Sequence, residues 1–171
     1  MAVGGRFRWA FINSVAAARP LPAGARKLLL RLCGVVVPAD GGLRAGFSID
    51  GDSQLTIGEG TWINADCYFD CTAPITIGAN CNIAQGVAFC TATHTVGDQT
   101  RRAGEATSAP IVVGDGTWIG ARATLLPGVT IAPGCVVAAG AVIARDTEPN
   151  RLYGGVPARP LRELQDSGIA H

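Results

Sequence analysis

The chain has 171 residues, of which 48% are hydrophobic and only 6% aromatic, and it contains 23 glycines. This size and composition suit one domain with an aliphatic core and many tight turns. The formal net charge of +1 does not indicate nucleic-acid binding, and no apolar segment reaches the ~18–20 residues of a membrane span.

The six cysteines predict reduced, buried thiols, and we therefore expect a cytoplasmic protein. No Cys-x-x-Cys pair occurs, and several cysteines fall at positions that the repeat described below predicts to be interior. A zinc site is not indicated either. Cys67 and Cys71 are four residues apart and have no matching second pair.

Residues 1–48 are predicted to form a helical N-terminal cap and lead-in. The stretch "ARKLLLRLCGVVVP" is typical of a short helix, and the apolar run before it is too short and too polar for a cleaved signal peptide. Two interpretations of this segment stay open: a helix packed on the body of the protein, and a basic helix in weak contact with anionic lipid. The basic residues before Asp40 are Arg6, Arg8, Arg19, Arg26, Lys27 and Arg31, with no acid among them.

A repeat of six residues dominates residues 49–148. Large apolar residues recur at this interval, and a small residue often follows each of them. The first series slips once by two residues, and a gap separates it from the second. The two series are Ile57, Ile63, Phe69, Ile75, Ile77, Ile83 and Phe89, then Val113, Ile119, Leu125, Ile131, Val137 and Ile143.

Period six fits neither the helical repeat near 3.6 nor simple strand alternation. It predicts an all-β solenoid with three flat faces, in which the large residue fills the interior and the small residue lets the corner close. Eighteen residues then make one turn, and neighbouring turns pair as parallel strands ~4.8 Å apart.

The repeat is interrupted after His94, where "TVGDQTRRAGEATSAP" (residues 95–110) is polar and has no periodicity. A long excursion from a regular solenoid is typical of a functional loop. His94 stands where the coil gives way to this loop, and the other histidine, His171, is the last residue. Its position at the start of this loop therefore makes His94 a candidate functional residue.

Residues 149–171 are predicted to turn back across the end of the coil and finish in a short helix. The stretch "YGGVPARPLREL" places Arg159 and Arg162 three residues apart. Guanidinium groups suit phosphate oxygens, so this segment is a candidate anion site.

Four motifs, "INADCYFD", "TATH", "GDGTWIGA" and "GGVPAR", resemble the hexapeptide-repeat acyltransferases in order and spacing. The likeness runs from about Ile57 to Leu164. Within the family it is strongest to the maltose, galactoside, nodulation and xenobiotic O-acetyltransferases and to the colanic-acid type of polysaccharide acetyltransferase. It implies a left-handed parallel β-helix and a homotrimer with active sites between subunits.

The resemblance also implies the chemistry, which is direct acetyl transfer from acetyl-CoA to an acceptor hydroxyl, with no metal and no acyl-enzyme. His94 matches the catalytic histidine in "TATH", and an imidazole suits the removal of a hydroxyl proton. Asn64 matches the acceptor-binding asparagine, and Asp70 falls near the acidic position that follows it. A sugar, glycoside or polysaccharide precursor is the expected acceptor.

For the cofactor, the resemblance implies that Trp118 packs on the pantetheine arm and that the backbone N–H of Ala121 stabilises the oxyanion. Arg159 and Arg162 are expected at the phosphates. The positions matched to coenzyme A are Trp118, Gly120, Ala121, Ala139, Ala144, Arg145, Arg159 and Arg162.

Two other classes of function are also compatible with the sequence. One is N- or O-acetylation of an amino sugar, an antibiotic or another natural product, and the other is a non-catalytic solenoid that serves as an interaction module. A γ-class carbonic anhydrase shares the coil but needs three zinc-binding histidines, and this chain has two.

Overall fold

The computed structural model describes residues 8–165, which form two helical segments and a parallel β-solenoid. A π-helix spans Ile12–Ala16, and helix α1 spans Ala23–Leu32. The strands are β1 (Gly42–Leu43), β2 (Ser48–Asp50), β3 (Leu55–Ile57), β4 (Trp62–Ile63), β5 (Tyr68–Asp70), β6 (Ile75–Ile77), β7 (Asn82–Ile83), β8 (Ala88–Cys90), β9 (Ala92–Val96), β10 (Ala103–Ser108), β11 (Ile111–Val113), β12 (Trp118–Ile119), β13 (Thr124–Leu125), β14 (Thr130–Ile131), β15 (Val136–Val137), β16 (Val142–Ile143), β17 (Arg151–Gly155) and β18 (Ala158–Glu163).

The solenoid has three faces, and each face is one sheet. Sheet A has the order β14-β11-β6-β3, sheet B the order β1-β4-β7-β12-β15-β17-β18, and sheet C the order β16-β13-β8-β5-β2. From β1 to β16 the chain visits sheets B, C and A in turn, interrupted only by the β9–β10 pair, and β17 and β18 then extend sheet B alone. This arrangement confirms the three-sided parallel solenoid that the repeat of six predicts.

The interior consists of the large residues of that repeat. Ile75, Ile111 and Ile119 are fully buried, whereas Thr76, between two buried neighbours on β6, faces outward. The rings of Phe69 and Phe89 stack with their centroids 5.0 Å apart. Each circuit therefore packs its apolar side chains on those of the next, which gives one continuous core.

All six cysteines carry free thiols, and four of them are buried in this core. Burial raises the pKa of Cys67 to about 11 and the pKa of Cys71 to about 12. The four buried cysteines are Cys67, Cys71, Cys81 and Cys135.

The first circuit begins before the boundary expected at residue 49. Val36 bridges Thr56, and β1 pairs in parallel with β4. The period of six also extends backward through interior residues, which are Val37, Leu43, Ile49 and Leu55. The sequence carried this signal, but a polar, Gly-containing stretch between the first two of them obscured it.

The helical segment covers one end of the solenoid. Asn13 donates from Nδ2 to the carbonyl oxygen of Ile49 and accepts from the Ile49 N–H, both at 2.9 Å, which satisfies the edge of sheet C. Arg26 is buried in α1, and its guanidinium binds three carbonyl oxygens of the preceding turn. Arg31 donates to the Val37 carbonyl oxygen. Both cations thus stabilise the cap, Arg26 through three contacts and Arg31, which is exposed, through its Nε alone.

The C-terminal segment differs from the prediction of a short helix. Residues Ala158–Glu163 form strand β18, which pairs antiparallel with β17 at the edge of sheet B. Two features favour the strand: Pro160 has no N–H for a helical hydrogen bond, and Arg151 forms an ion pair with Glu163 at 3.0 Å across the two strands. Residues beyond Gln165 lie outside the described part of the chain. Within residues 8–165, no helix is both long enough and apolar enough to span a membrane.

Candidate active site

His94 lies on an exposed hairpin that leaves the solenoid between sheet C and sheet A. Strand β9 follows β8 directly and pairs antiparallel with β10, so that His94 faces Ala106. Its side chain is exposed, and it is the only histidine among residues 8–165. The residues predicted as a loop, 95–110, supply most of this hairpin.

Asp70 fixes the base of the hairpin. One oxygen of its carboxylate accepts from the N–H and the hydroxyl of Thr72, at 3.0 and 2.6 Å, and the other accepts from the Ala92 N–H at 2.8 Å. Burial alone would raise the pKa of this carboxyl, but the hydrogen bonds from Thr72 and Ala92 outweigh burial and lower it. The carboxylate expected to bind the acceptor is therefore already hydrogen-bonded to Thr72 and Ala92. Ala92 lies two residues before His94.

Asn64 lies at the corner between sheets B and C and is half-exposed. Its side-chain oxygen accepts from the Ala65 N–H at 2.8 Å, which leaves the amide N–H groups available. It lines a cavity of about 290 Å³ together with Trp62, Asn82 and Trp118. The predicted acceptor residue and the predicted pantetheine residue thus share one cavity.

Trp118 belongs to a row of outward-facing residues on sheet B. Asn82 separates it from Trp62, since Asn82 is in register with both. The two indoles are 56% and 57% exposed, so each offers a free ring face. Trp118 was predicted from the sequence and Trp62 was not, although both begin a Trp-Ile pair.

Three predicted cofactor positions cluster at the corner that follows β12. Gly120 is buried, and an added Cβ would stand 2.5 Å from the Ala139 backbone nitrogen, so only glycine fits there. Ala121 is half-exposed, and among residues 8–165 its N–H has no hydrogen-bond partner. Ala139 is exposed beside it. An unpaired N–H on a fixed corner is a suitable donor to a developing oxyanion.

Three further predicted cofactor residues, Ala144, Arg145 and Arg159, line a cavity of about 220 Å³ at the C-terminal end of the coil. The Arg159 guanidinium makes one hydrogen bond, to the carbonyl oxygen of Ala158 at 3.0 Å, and is otherwise exposed. Arg162, opposite Leu152 on the same hairpin, does not line this cavity. Of the two arginines expected at the phosphates, only Arg159 therefore lines this cavity.

One chain does not bring His94 to Asn64 and Trp118. His94 leaves at the corner between sheets C and A, whereas Asn64 and Trp118 belong to sheet B and to the corner that leads from it. These are different corners of a three-sided prism whose interior is filled with side chains. A site that uses all three residues needs a second copy of the chain.

Two family models match the chain. The model described as "Bacterial transferase hexapeptide (six repeats)" matches residues 110–145, and that described as "Hexapeptide repeat of succinyl-transferase" matches residues 54–88. Both matches fall within the solenoid.

Solved structures match nearly the whole chain. A hexapeptide-repeat-containing acetyltransferase of Vibrio cholerae O1 biovar eltor, complexed with acetyl coenzyme A, has a TM-score of 0.80 and is 32% identical; the match covers 95% of this chain and 86% of that one. A maltose O-acetyltransferase from Clostridium difficile 630 has a TM-score of 0.74 and is 27% identical, with 94% and 84% covered.

Among curated proteins, the galactoside O-acetyltransferase of Escherichia coli (strain K12) is 34% identical over 131 residues, which is 65% of this chain and 64% of that protein. The chain spans about 55–64% of the length of the first curated relatives that it matches. The matched structures thus extend over more of both chains than the sequence matches do.

Proposed function

The chain belongs to the hexapeptide-repeat acyltransferase family, and on that premise we propose that it transfers an acetyl group from acetyl-CoA to an acceptor hydroxyl. The acceptor class is a sugar, a glycoside or a polysaccharide precursor. The named relatives support this proposal, since they include galactoside and maltose O-acetyltransferases and an acetyltransferase complexed with acetyl coenzyme A.

The observation that carries the proposal is the placement of His94. An exposed imidazole stands on a hairpin, and the buried carboxylate of Asp70 holds the first residue of that hairpin to the coil. A polar hairpin with no chemistry would not need its single histidine next to such an anchor. A general base does need it, because proton transfer depends on a fixed position.

In the proposed reaction, His94 removes the acceptor's hydroxyl proton while the hydroxyl oxygen attacks the thioester carbonyl carbon. The Ala121 N–H donates to the oxyanion of the tetrahedral intermediate. The C–S bond then breaks, and the coenzyme A thiolate takes the proton from the imidazolium. The products are the acetyl ester and free coenzyme A, with no acetyl group on the enzyme.

We place coenzyme A along sheet B, from Trp118 to the cavity at the C-terminal end. The exposed Trp118 ring offers an apolar surface to the pantetheine arm, and Ala139 leaves space beside it. Arg145 and Arg159 line the far cavity, where they would meet phosphate oxygens. Asp146 and Glu148 also line it, but Asp146 accepts from the Thr130 N–H and Glu148 forms an ion pair with Arg151.

The active site is assembled between subunits of a homotrimer. The separation of His94 from Asn64 and Trp118 within one chain supports this assembly, as does the exposure of the sheet B row. In a cyclic trimer each chain offers its hairpin to one neighbour and its sheet B corner to the other, so three equivalent sites form. The free thiols of the core support a cytoplasmic location.

The experiment is a thiol-release assay with acetyl-CoA and a panel of sugars and glycosides, with mass analysis of the acetylated product. We expect acceptor-dependent thiol release that requires His94. Release without any acetylated acceptor, or no release with every acceptor in the panel, would contradict the proposal.

A further inference from the structure

A second, larger cavity lies between helix α1 and the first circuit of the coil. Its volume is about 680 Å³, which can hold a ring or two of a saccharide with a charged substituent. Its wall includes Lys27 on α1, Arg44 after β1, and the Trp62 and Asn64 pair of the next circuit. Of these residues, only Asn64 was predicted from the sequence to bind a ligand.

Positive charge dominates the wall of this cavity. Four basic residues line it, and no Asp or Glu does, among the residues that the structure describes. Two of the four are already engaged: Arg26 binds backbone carbonyl oxygens, and Arg19 forms an ion pair with Asp66 at 2.9 Å. The other two are Lys27 and Arg44.

Lys27 and Arg44 are free to bind a ligand. The Lys27 ammonium group donates to the Ala39 carbonyl oxygen at 2.8 Å and keeps its remaining donors. Arg44 is exposed and has no ion pair or side-chain hydrogen bond with any residue in the 8–165 range. A guanidinium group without a carboxylate, on the wall of a concave site, is suited to an anion.

Arg44 occupies the corner position of Asn64, one circuit earlier. Leu43 and Ile63 are in register on neighbouring parallel strands, which lie ~4.8 Å apart. Arg44 directly follows Leu43, and Asn64 directly follows Ile63, so the two residues occupy equivalent positions. Arg44, Trp62 and Asn64 also line the smaller cavity that contains Trp118. The basic cavity therefore opens beside the predicted acceptor residue, at the end of the coil away from Arg159.

We propose that the acceptor is an anionic saccharide, with Arg44 and Lys27 binding a phosphate or carboxylate on it. This inference rests on the proposed function and names the substrate class of the same site. The sugar ring packs on the Trp62 indole, and Asn64 lies nearest the reacting hydroxyl. The charged substituent takes no part in the transfer, in which the hydroxyl oxygen gains the acetyl group and loses its proton.

The test compares neutral and acidic acceptors in the thiol-release assay: methyl glucoside, its uronic acid, glucose 6-phosphate and glucose 1-phosphate, which is the acidic acceptor that keeps a free 6-hydroxyl. We expect kcat/KM to be ~10-fold or more higher for an acidic acceptor than for the neutral one. Arg44→Gln should lower kcat/KM for the acidic acceptor by ~10- to 100-fold, the value of a charge-assisted contact, and leave the neutral acceptor within about twofold. Lys27→Gln should have a smaller effect in the same direction.

Arg31→Gln is the charge-matched control, because Arg31 is on the same helix as Lys27 and does not line the cavity. It should leave the preference for acidic acceptors unchanged. If Arg44→Gln instead raised KM for acetyl-CoA alone, the cavity would bind coenzyme A phosphates, and the inference would be wrong. Equal loss with acidic and neutral acceptors would also overturn it.

Direct binding separates failure of this inference from failure of the proposed function. The melting temperature is measured with increasing glucose 6-phosphate, uronic acid or methyl glucoside, without acetyl-CoA. The inference predicts stabilisation by the acidic ligands that Arg44→Gln abolishes, even if no turnover is found. Turnover on neutral acceptors, with no acidic ligand bound or preferred, would refute the anionic class and retain the acetyltransferase.

Discussion

The Asp70 carboxylate accepts a hydrogen bond from the Ala92 backbone N–H at 2.8 Å. Asp70 ends strand β5, and Ala92 begins the hairpin that carries His94. The contact joins residues 22 positions apart in the sequence, so it ties the hairpin to the preceding circuit of the coil. Asp70 is thus a positioning residue for the proposed general base.

We expect Asp70→Asn to lower the free energy of unfolding by ~1–3 kcal/mol, because an amide replaces one of the two accepting oxygens. It should also lower kcat at temperatures where the protein stays folded, with KM for acetyl-CoA unchanged. Thermal melts and steady-state kinetics measure the two effects. A stability loss with unchanged kcat would mean that Asp70 supports the coil only.

Asp98→Asn is the matched control for this prediction. Asp98 also accepts from a following threonine and from backbone N–H groups, but it stands exposed at the hairpin tip. Its replacement should leave kcat near the wild-type value. If Asp98→Asn lowered kcat as much as Asp70→Asn does, any change in the hairpin would be sufficient to lower kcat, and the specific role of Asp70 would be contradicted.

The lowered pKa of Asp70 also predicts a pH dependence. A carboxyl whose pKa is lower in the folded chain stabilises the fold above its ordinary value, 3.8, and loses that contribution as the pH falls through the lowered value. Wild-type stability should therefore fall more steeply in acid than that of Asp70→Asn. If the stabilities of the wild type and Asp70→Asn fell equally in acid, the lowered pKa of Asp70 would be contradicted.

Arg159→Ala should raise KM for acetyl-CoA by ~10- to 100-fold and leave kcat close to normal, since a phosphate contact is the same in the ground and transition states. Arg159→Lys should recover part of the loss. Arg162→Ala should have a smaller effect, because Arg162 does not line the C-terminal cavity. A lower kcat with unchanged KM in Arg159→Ala would place this segment at the reacting centre.

The buried thiols predict alkaline destabilisation. The ordinary pKa of a cysteine thiol is 9.0, and burial raises the pKa of Cys67 to about 11 and that of Cys71 to about 12. Stability contributed by these thiols is complete below about 9.0 and is lost as the pH rises toward those values. The melting temperature of the wild-type protein should fall as the pH rises across this window. The melting temperature of Cys67→Ala, compared with its own value at neutral pH, should fall less steeply. An identical slope would contradict the burial argument.

Direct transfer predicts that no cysteine carries the acetyl group. Cys90 is closest in sequence to His94, and burial followed by the charge of Asp70 raises its pKa, which disfavours the thiolate. Cys90→Ala should keep turnover within about twofold of wild type. An acetylated Cys90 in quenched reactions, together with loss of turnover in this variant, would establish an acyl-enzyme instead.

The sequence predicted the core of the solenoid because each interior position repeats the same local requirement. It did not predict the first circuit, where Val37 and Leu43 continue the period across a polar stretch. The sequence predicted a turn and a short helix within residues 149–171 and did not predict the strand Ala158–Glu163, because pairing with β17 is a long-range contact that local spacing does not report. The role of Asp70 depends on a similar contact, with Ala92.

The most direct test of the account is complementation between two inactive variants, because the proposed site takes His94 from one chain and Asn64 from its neighbour. His94→Ala and Asn64→Ala are each prepared alone and then co-expressed in equal amounts, and thiol release is measured on the mixed trimers. His94→Ala alone should lower turnover by ~10²- to 10⁴-fold. A similar loss of turnover is expected for Asn64→Ala alone. With random mixing, a wild-type pair of residues forms at about a quarter of the interfaces, so the mixture should recover about a quarter of wild-type turnover. Mixed trimers that stay as inactive as the separate variants would show that both residues act within one chain, and would contradict the shared site.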